Sequence, residues 1–133
     1  MHRPRLLLID DSQEFIDAAA ALLKHEADIV GRAHGGEEGL RLAAALNPDV
    51  IVLDISMPDI SGFEVASRLR QRNFRPRIVM LTVHEDLEIL RAARALGVLG
   101  YVLKRRIATD LPTAVRDALA DRPFVSPPLP PPE

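Results

Sequence analysis

The run Val50-Ile51-Val52-Leu53, four apolar residues between Pro48 and Pro58, reads as a short strand covered on both faces, because no alternation marks one side for water. Asp54 stands at its carboxyl end. Three other runs repeat the pattern: Leu6–Ile9 ends in Asp10-Asp11-Ser12, Ile78–Leu81 in Thr82, and Leu99–Leu103 in Lys104. A further short strand is expected near Ile29–Ala33. Strands apolar on both faces need covering layers above and below, which leaves few architectures open.

The intervening segments carry helical spacing. Phe15, Ala18, Ala19, Leu22 and Leu23 follow the i, i+3, i+4, i+7, i+8 pattern, with Ser12 placed as a cap. Leu40, Ala43 and Ala44 mark a second helix, stopped by Asn47-Pro48. Ser61 and Glu64 have capping-box spacing before a third, which buries Val65, Ala66 and Leu69. A fourth is expected to bury Ile89, Ala92, Ala93 and Leu96 and to stop at Gly97. Leu111, Ala114, Val115, Ala118 and Leu119 mark a fifth, with Pro112 in its first turn. Five alternations of strand and helix predict an α/β, doubly wound, five-stranded parallel sheet, (βα)5, with helices on both faces.

A chain of 133 residues has room for one such domain. It is expected to occupy 1–121. Residues 122–133, crowded with proline from Pro123 onward, read as a stiff, extended tail or linker remnant, neither helix nor central strand. A Pro-x-x-Pro ligand for a partner's aromatic groove is the second reading of that tail.

Composition removes several functions. The formal charge of −2, with both signs interspersed, gives no footprint for nucleic acid or an anionic membrane. There is no cysteine, so disulfides, thiolate chemistry and Cys-type zinc sites are excluded. Met1-His2-Arg3-Pro4-Arg5 is basic like the opening of a signal peptide, but the apolar run behind it stops at Ile9. No run approaches the roughly 18 residues of a membrane helix. A cytoplasmic protein is expected, with no direct nucleic-acid binding and no membrane partner.

In a parallel sheet all carboxyl ends share one edge, so Asp10, Asp11, Asp54, Thr82 and Lys104 can converge. Carboxylates in contact repel by about 4 kcal/mol per pair at an effective dielectric of about 20. A positive charge is therefore required. A donor set of oxygens without His or Cys suits Mg²⁺, to be held by Asp10 and Asp11. A carboxylate nucleophile, a cation, a lysine and a hydroxyl are what phosphoryl transfer to a carboxylate demands, and Asp54 is the candidate nucleophile. Individually, Asp54 also reads as a turn opener, Lys104 as a solvated residue and Thr82 as a strand former.

As a set these motifs resemble the receiver domain of bacterial two-component response regulators: Asp10-Asp11, Asp54 with Met57-Pro58 and Gly62, Thr82, and Gly100-Tyr101-Val102-Leu103-Lys104. The resemblance covers residues 5–121 and implies a flavodoxin-like fold of strand order 2-1-3-4-5. It implies that Asp54 accepts a phosphoryl group from a sensor histidine kinase's phosphohistidine. Asp10, Asp11, Asp54 and the Ser56 backbone carbonyl would organise Mg²⁺, and Thr82 and Lys104 would bind the phosphoryl oxygens. Tyr101 matches the switch aromatic, although a half-buried strand aromatic fits the same position. The chain would be a phosphoacceptor that assists its own phosphotransfer and autodephosphorylation rather than a turnover enzyme.

Leu81–Asp86, Ala95–Tyr101 and Pro123–Pro127 resemble the NarL/FixJ branch, which implies control of transcription through an output domain outside this chain; phosphorylation is expected to drive homodimerisation or release of a DNA-binding partner domain. Two departures stand out: Arg105 follows Lys104 where many receivers have a proline after a cis bond, and Val83 is larger than the usual neighbour of the switch threonine. Two other readings compete. A phosphorylation-independent receiver-like interaction module would keep the acidic residues for structure. A phosphohydrolase of the haloacid-dehalogenase type would want Asp-x-Asp after the first strand and a cap domain, and Asp10-Asp11-Ser12 does not match.

Overall fold

Each apolar run becomes a strand: β1 Arg5–Ile9, β2 Asp28–Ala33, β3 Val50–Leu53, β4 Arg77–Thr82 and β5 Gly100–Leu103. The structure, a computed structural model, describes residues 3–132; Met1, His2 and Glu133, and with them the first residues of the basic opening, lie outside it. The strands pair in parallel in the order β2-β1-β3-β4-β5, and a sixth, β6 Phe124–Val125, follows β5. The helices are α1 Gln13–Leu23, α2 Gly36–Leu46, α3 Gly62–Gln71, α4 Leu87–Ala95 and α5 Ile107–Leu119.

Period-two alternation splits the strand residues between two cores. Leu7, Ile9, Ile51, Leu53, Met80 and Tyr101 pack under α2, α3 and α4. Leu6, Leu8, Val50, Val52, Val79 and Val102 pack under α1 and α5. Both faces are covered, which accounts for the unbroken apolar runs.

The caps form as the spacing suggests. Ser12 Oγ accepts from the Phe15 amide at 3.4 Å and Ser61 Oγ from the Glu64 amide at 3.2 Å. Asn47 closes α2 in the left-handed region, φ 49°, its amide bonding back to the Ala43 carbonyl.

Several expectations change. In α4 the buried stripe is Leu90 and Ala93, while Ala92 is exposed and Ile89 half-buried. That helix flanks the outer part of the sheet, and its stripe is narrow. Pro112 lies inside α5 rather than in its first turn, because a 3₁₀ turn over Lys104–Arg106 runs directly into the helix at Ile107. The tail also does more than extend: the Phe124 amide bonds to the Leu99 carbonyl at 3.0 Å and the Ser126 amide to the Tyr101 carbonyl at 2.9 Å, making β6 a parallel edge strand. Its flanking prolines are compatible with an edge, where only one side of the backbone is paired.

Candidate functional site

The strand order reverses between β1 and β3, and the crevice outside their carboxyl ends is where doubly wound sheets bind ligands. Asp10 leaves β1 there and Asp54 leaves β3. Their backbones are tied by the Asp54 amide, which donates to the Ile9 carbonyl at 2.9 Å. One carboxylate oxygen from each of Asp10, Asp11 and Asp54 falls in a group whose members all lie within 4.8 Å of one another. Asp11 is exposed, whereas Asp10 and Asp54 are buried.

Lys104 closes the cluster. Its Nζ lies 2.9 Å from Asp10 Oδ2 and 3.4 Å from Asp54 Oδ2, and its side chain is only 8% exposed. Its Nζ also sits 4.2 Å from the centre of the Phe15 ring, whose π face favours a cation. That role explains why Phe15 is half-buried while Ile16, Ala19, Ala20 and Leu23 form the buried face of α1.

Among the described residues Asp10 Oδ2 has no hydrogen bond, although the ammonium is close. Three carboxylates against one ammonium leave an uncompensated negative charge, which fits a hard divalent cation. Burial, and then the adjacent Asp10 charge, push the Asp54 carboxyl up to about 6, against the opposing pull of Lys104.

The loop after β3 is held from both sides. Asp54 Oδ1 accepts from the Ile55 amide at 2.8 Å, and the Gly62 amide donates to the Ile55 carbonyl at 2.8 Å. A Cβ on Gly62 would lie 2.3 Å from the Asp54 carbonyl oxygen, so only glycine lets α3 start this close to the loop. Asp59, farther along, accepts from the Gly36 amide at 3.0 Å and the Glu37 amide at 2.9 Å. It caps α2 in place of Gly35, which has no side chain to do so. Those amides, Glu37 first and then Gly36, hold the Asp59 carboxyl down at about 2.

Thr82 is fully buried at the end of β4, its Oγ1 accepting from the His84 amide at 3.1 Å. Tyr101 is buried rather than half-buried, and its hydroxyl donates to the His84 carbonyl at 2.9 Å. The His84 ring meets Ser56, Nε2 to Oγ at 2.7 Å, so the loops after β3 and β4 touch. Val83 points outward, 65% exposed. The Lys104–Arg105 peptide is trans. Arg105 forms a two-pronged pair with Glu85, at 2.8 and 2.9 Å, joining the segments after β4 and β5.

Asp10, Asp11, Asp54 and Lys104 thus meet in one cluster, with Thr82, Tyr101 and Ser56 joined through His84. Sequence reading missed Phe15, Asp59, Asp110 and Ser126. Asp110 left a signal: with Ile107, Leu111 and Ala114 it has the spacing of the α5 apolar stripe, where a carboxylate needs a partner.

Fold and cluster together define a flavodoxin-like α/β domain with an acidic pocket at its switch point. The chain belongs to the response regulator receiver domain family, which matches residues 6–116. It is 37% identical over 128 residues to the nitrate/nitrite response regulator protein NarL of Escherichia coli (strain K12), covering 95% of this chain and 59% of that protein. It is 36% identical over 121 residues to the transcriptional regulatory protein LiaR of Bacillus subtilis (strain 168), covering 90% and 57%. The chain therefore spans less than two thirds of the length of these relatives. A two-component response regulator of the LuxR family from Aurantimonas sp. SI85-9A1 superposes with a TM-score of 0.87 at 27% identity, covering 95% of this chain and 91% of that one. A signal receiver domain from Mycobacterium tuberculosis gives 0.86 at 29%, covering 92% and 100%. No helix among the described residues is long and apolar enough to cross a membrane.

Proposed function

We propose that the chain is a Mg²⁺-dependent phosphoryl acceptor, modified at Asp54 by the phosphohistidine of a sensor histidine kinase. The observation that carries this reading is the Lys104 ammonium set between the buried Asp10 and Asp54 carboxylates, beside the Asp11 carboxylate. Asp10, Asp11, Asp54 and the Ser56 carbonyl would hold the metal, which when bound offsets charge on the phosphoryl oxygens. An Asp54 oxygen bonds to phosphorus, the bond to the donor nitrogen breaks, and its electron pair leaves with the imidazole. Lys104 moves its contact from Asp54 to a phosphoryl oxygen, and the Thr82 hydroxyl turns to another. The group later leaves by attack of water on phosphorus, with no other substrate turned over.

Phosphorylation then shifts an equilibrium. If Thr82 turns, the His84 amide loses its acceptor, and the loop that Tyr101 and Ser56 hold is drawn along. The changed face formed by α4 and β5 would promote a homodimer and, in a longer cytoplasmic protein, control transcription through an output domain.

Intact mass after incubation with acetyl phosphate and Mg²⁺, with gel filtration alongside, tests this. One phosphoryl group should be gained, and lost in Asp54→Asn or without metal. If no group adds and beryllium fluoride does not bind, the phosphorylation-independent module becomes the better reading.

A further inference from the structure

Ser126 has no solvent exposure, and its hydroxyl makes two hydrogen bonds. It donates to Asp110 Oδ2 at 2.7 Å and accepts from the Leu103 amide at 3.1 Å. Continuing the parallel ladder would bring a backbone carbonyl opposite Leu103. Here the chain turns away at Pro127, and the Ser126 carbonyl accepts instead from the Leu129 amide at 3.2 Å. The side chain replaces the missing rung.

Asp110, itself buried, also holds Arg106 at 2.8 and 3.3 Å. Leu103 and Arg106 flank Lys104 and Arg105, so one serine–aspartate pair grips both sides of the turn that carries the lysine. Apart from the contacts of Lys104 itself, the turn is also linked through Arg105 to Glu85, a pair that lies in solvent, where ion pairs contribute little. Lys104 must meet two carboxylates through a long flexible side chain, and its aim depends on where its backbone starts.

We propose that Ser126 is a positioning residue for phosphoryl transfer: its hydroxyl, brought in by the C-terminal segment, fixes the turn that directs Lys104 at Asp54. The inference rests on the phosphoacceptor reading of Asp54. Removing the hydroxyl leaves the Leu103 N–H and an Asp110 lone pair buried without a partner, and the turn relaxes to satisfy them. Partners that orient metal-ligating side chains typically cost about 10- to 100-fold in affinity or activity when removed, and a turn that aims Lys104 is expected to act on the low end of that scale.

The test uses the full 133-residue chain, acetyl phosphate and Mg²⁺, following maximal rate and half-saturating donor concentration by intact mass. A ¹⁹F spectrum of the beryllium fluoride complex reports the lysine's placement. Ser126→Ala should lower the maximal rate about tenfold with half-saturation unchanged, and should move the fluorine resonance. Ser126→Thr, which keeps the hydroxyl, should recover both. Leu69→Ala removes buried packing from α3 without touching β6 and should retain the parent's rate and spectrum. A parent rate in Ser126→Ala overturns the inference, as does equal slowing in Leu69→Ala, which would assign the effect to lost packing in general. A parent chain that takes up no phosphoryl group overturns the phosphoacceptor reading itself, a result separable from either.

Discussion

Burial of Asp54 weakens the resting domain. A carboxyl with its pKa raised from 3.8 to about 6 binds its proton more tightly folded than unfolded. The cost is therefore fully present above about pH 6, shrinks as pH falls, and is gone below about pH 4. Asp54→Asn removes a charge from this crowd, so at pH 7.5 without Mg²⁺ it should stabilise the fold by about 1 kcal/mol, roughly 3 °C in melting temperature. The gain should vanish near pH 4, and thermal melts at both values would check it; a variant that melts lower at pH 7.5 would contradict the charge balance described. At this scale Asp10, Asp11, Asp54, Thr82 and Lys104 were legible because strand ends in a parallel sheet share an edge whatever else folds around them. Ser126 and Asp59 were not, since each serves a partner 23 or 22 residues distant that only the tertiary structure brings near.

At the scale of elements, α2 and α3 both depend on the loop that follows β3. Gly62→Ala would press a methyl group against the Asp54 carbonyl, and overpacking of this kind costs about 1–3 kcal/mol. A lower denaturant midpoint together with slower phosphorylation is the expected result. Asp59 is coupled differently. Its carboxyl, depressed to about 2, adds stability that is present above pH 3.8 and lost as pH falls toward 2. Asp59→Ala should flatten that stretch of the acid-unfolding curve and reduce hydrogen-exchange protection of the Gly36 and Glu37 amides, while leaving α5 amides unchanged. The helices themselves were legible from spacing. Their rotation was less so: α1 buries Ile16 and Ala20 where Phe15 and Ala18 were expected, leaving the Phe15 ring beside Lys104, and α4 buries Leu90 in place of Ile89.

Over the whole molecule, sheet order and two-sided burial follow from the alternating pattern, and the receiver family matches the same stretch. What the pattern could not reveal was the last strand. Two residues between prolines carry too little periodicity to read, and β6 exists because β5 offers an unpaired rim. That rim has a consequence for the protein in concentrated solution. Bare strand edges recruit other chains, and β5 is apolar and buried along its length. With Phe124–Val125 laid against it, the one other outer strand is β2, whose Asp28 and Arg32 stand exposed and of opposite sign. The C-terminal segment thus acts as a selvedge: it finishes the sheet along β5, guards the domain against ribbon-to-ribbon aggregation, and ends beside the turn that carries Lys104.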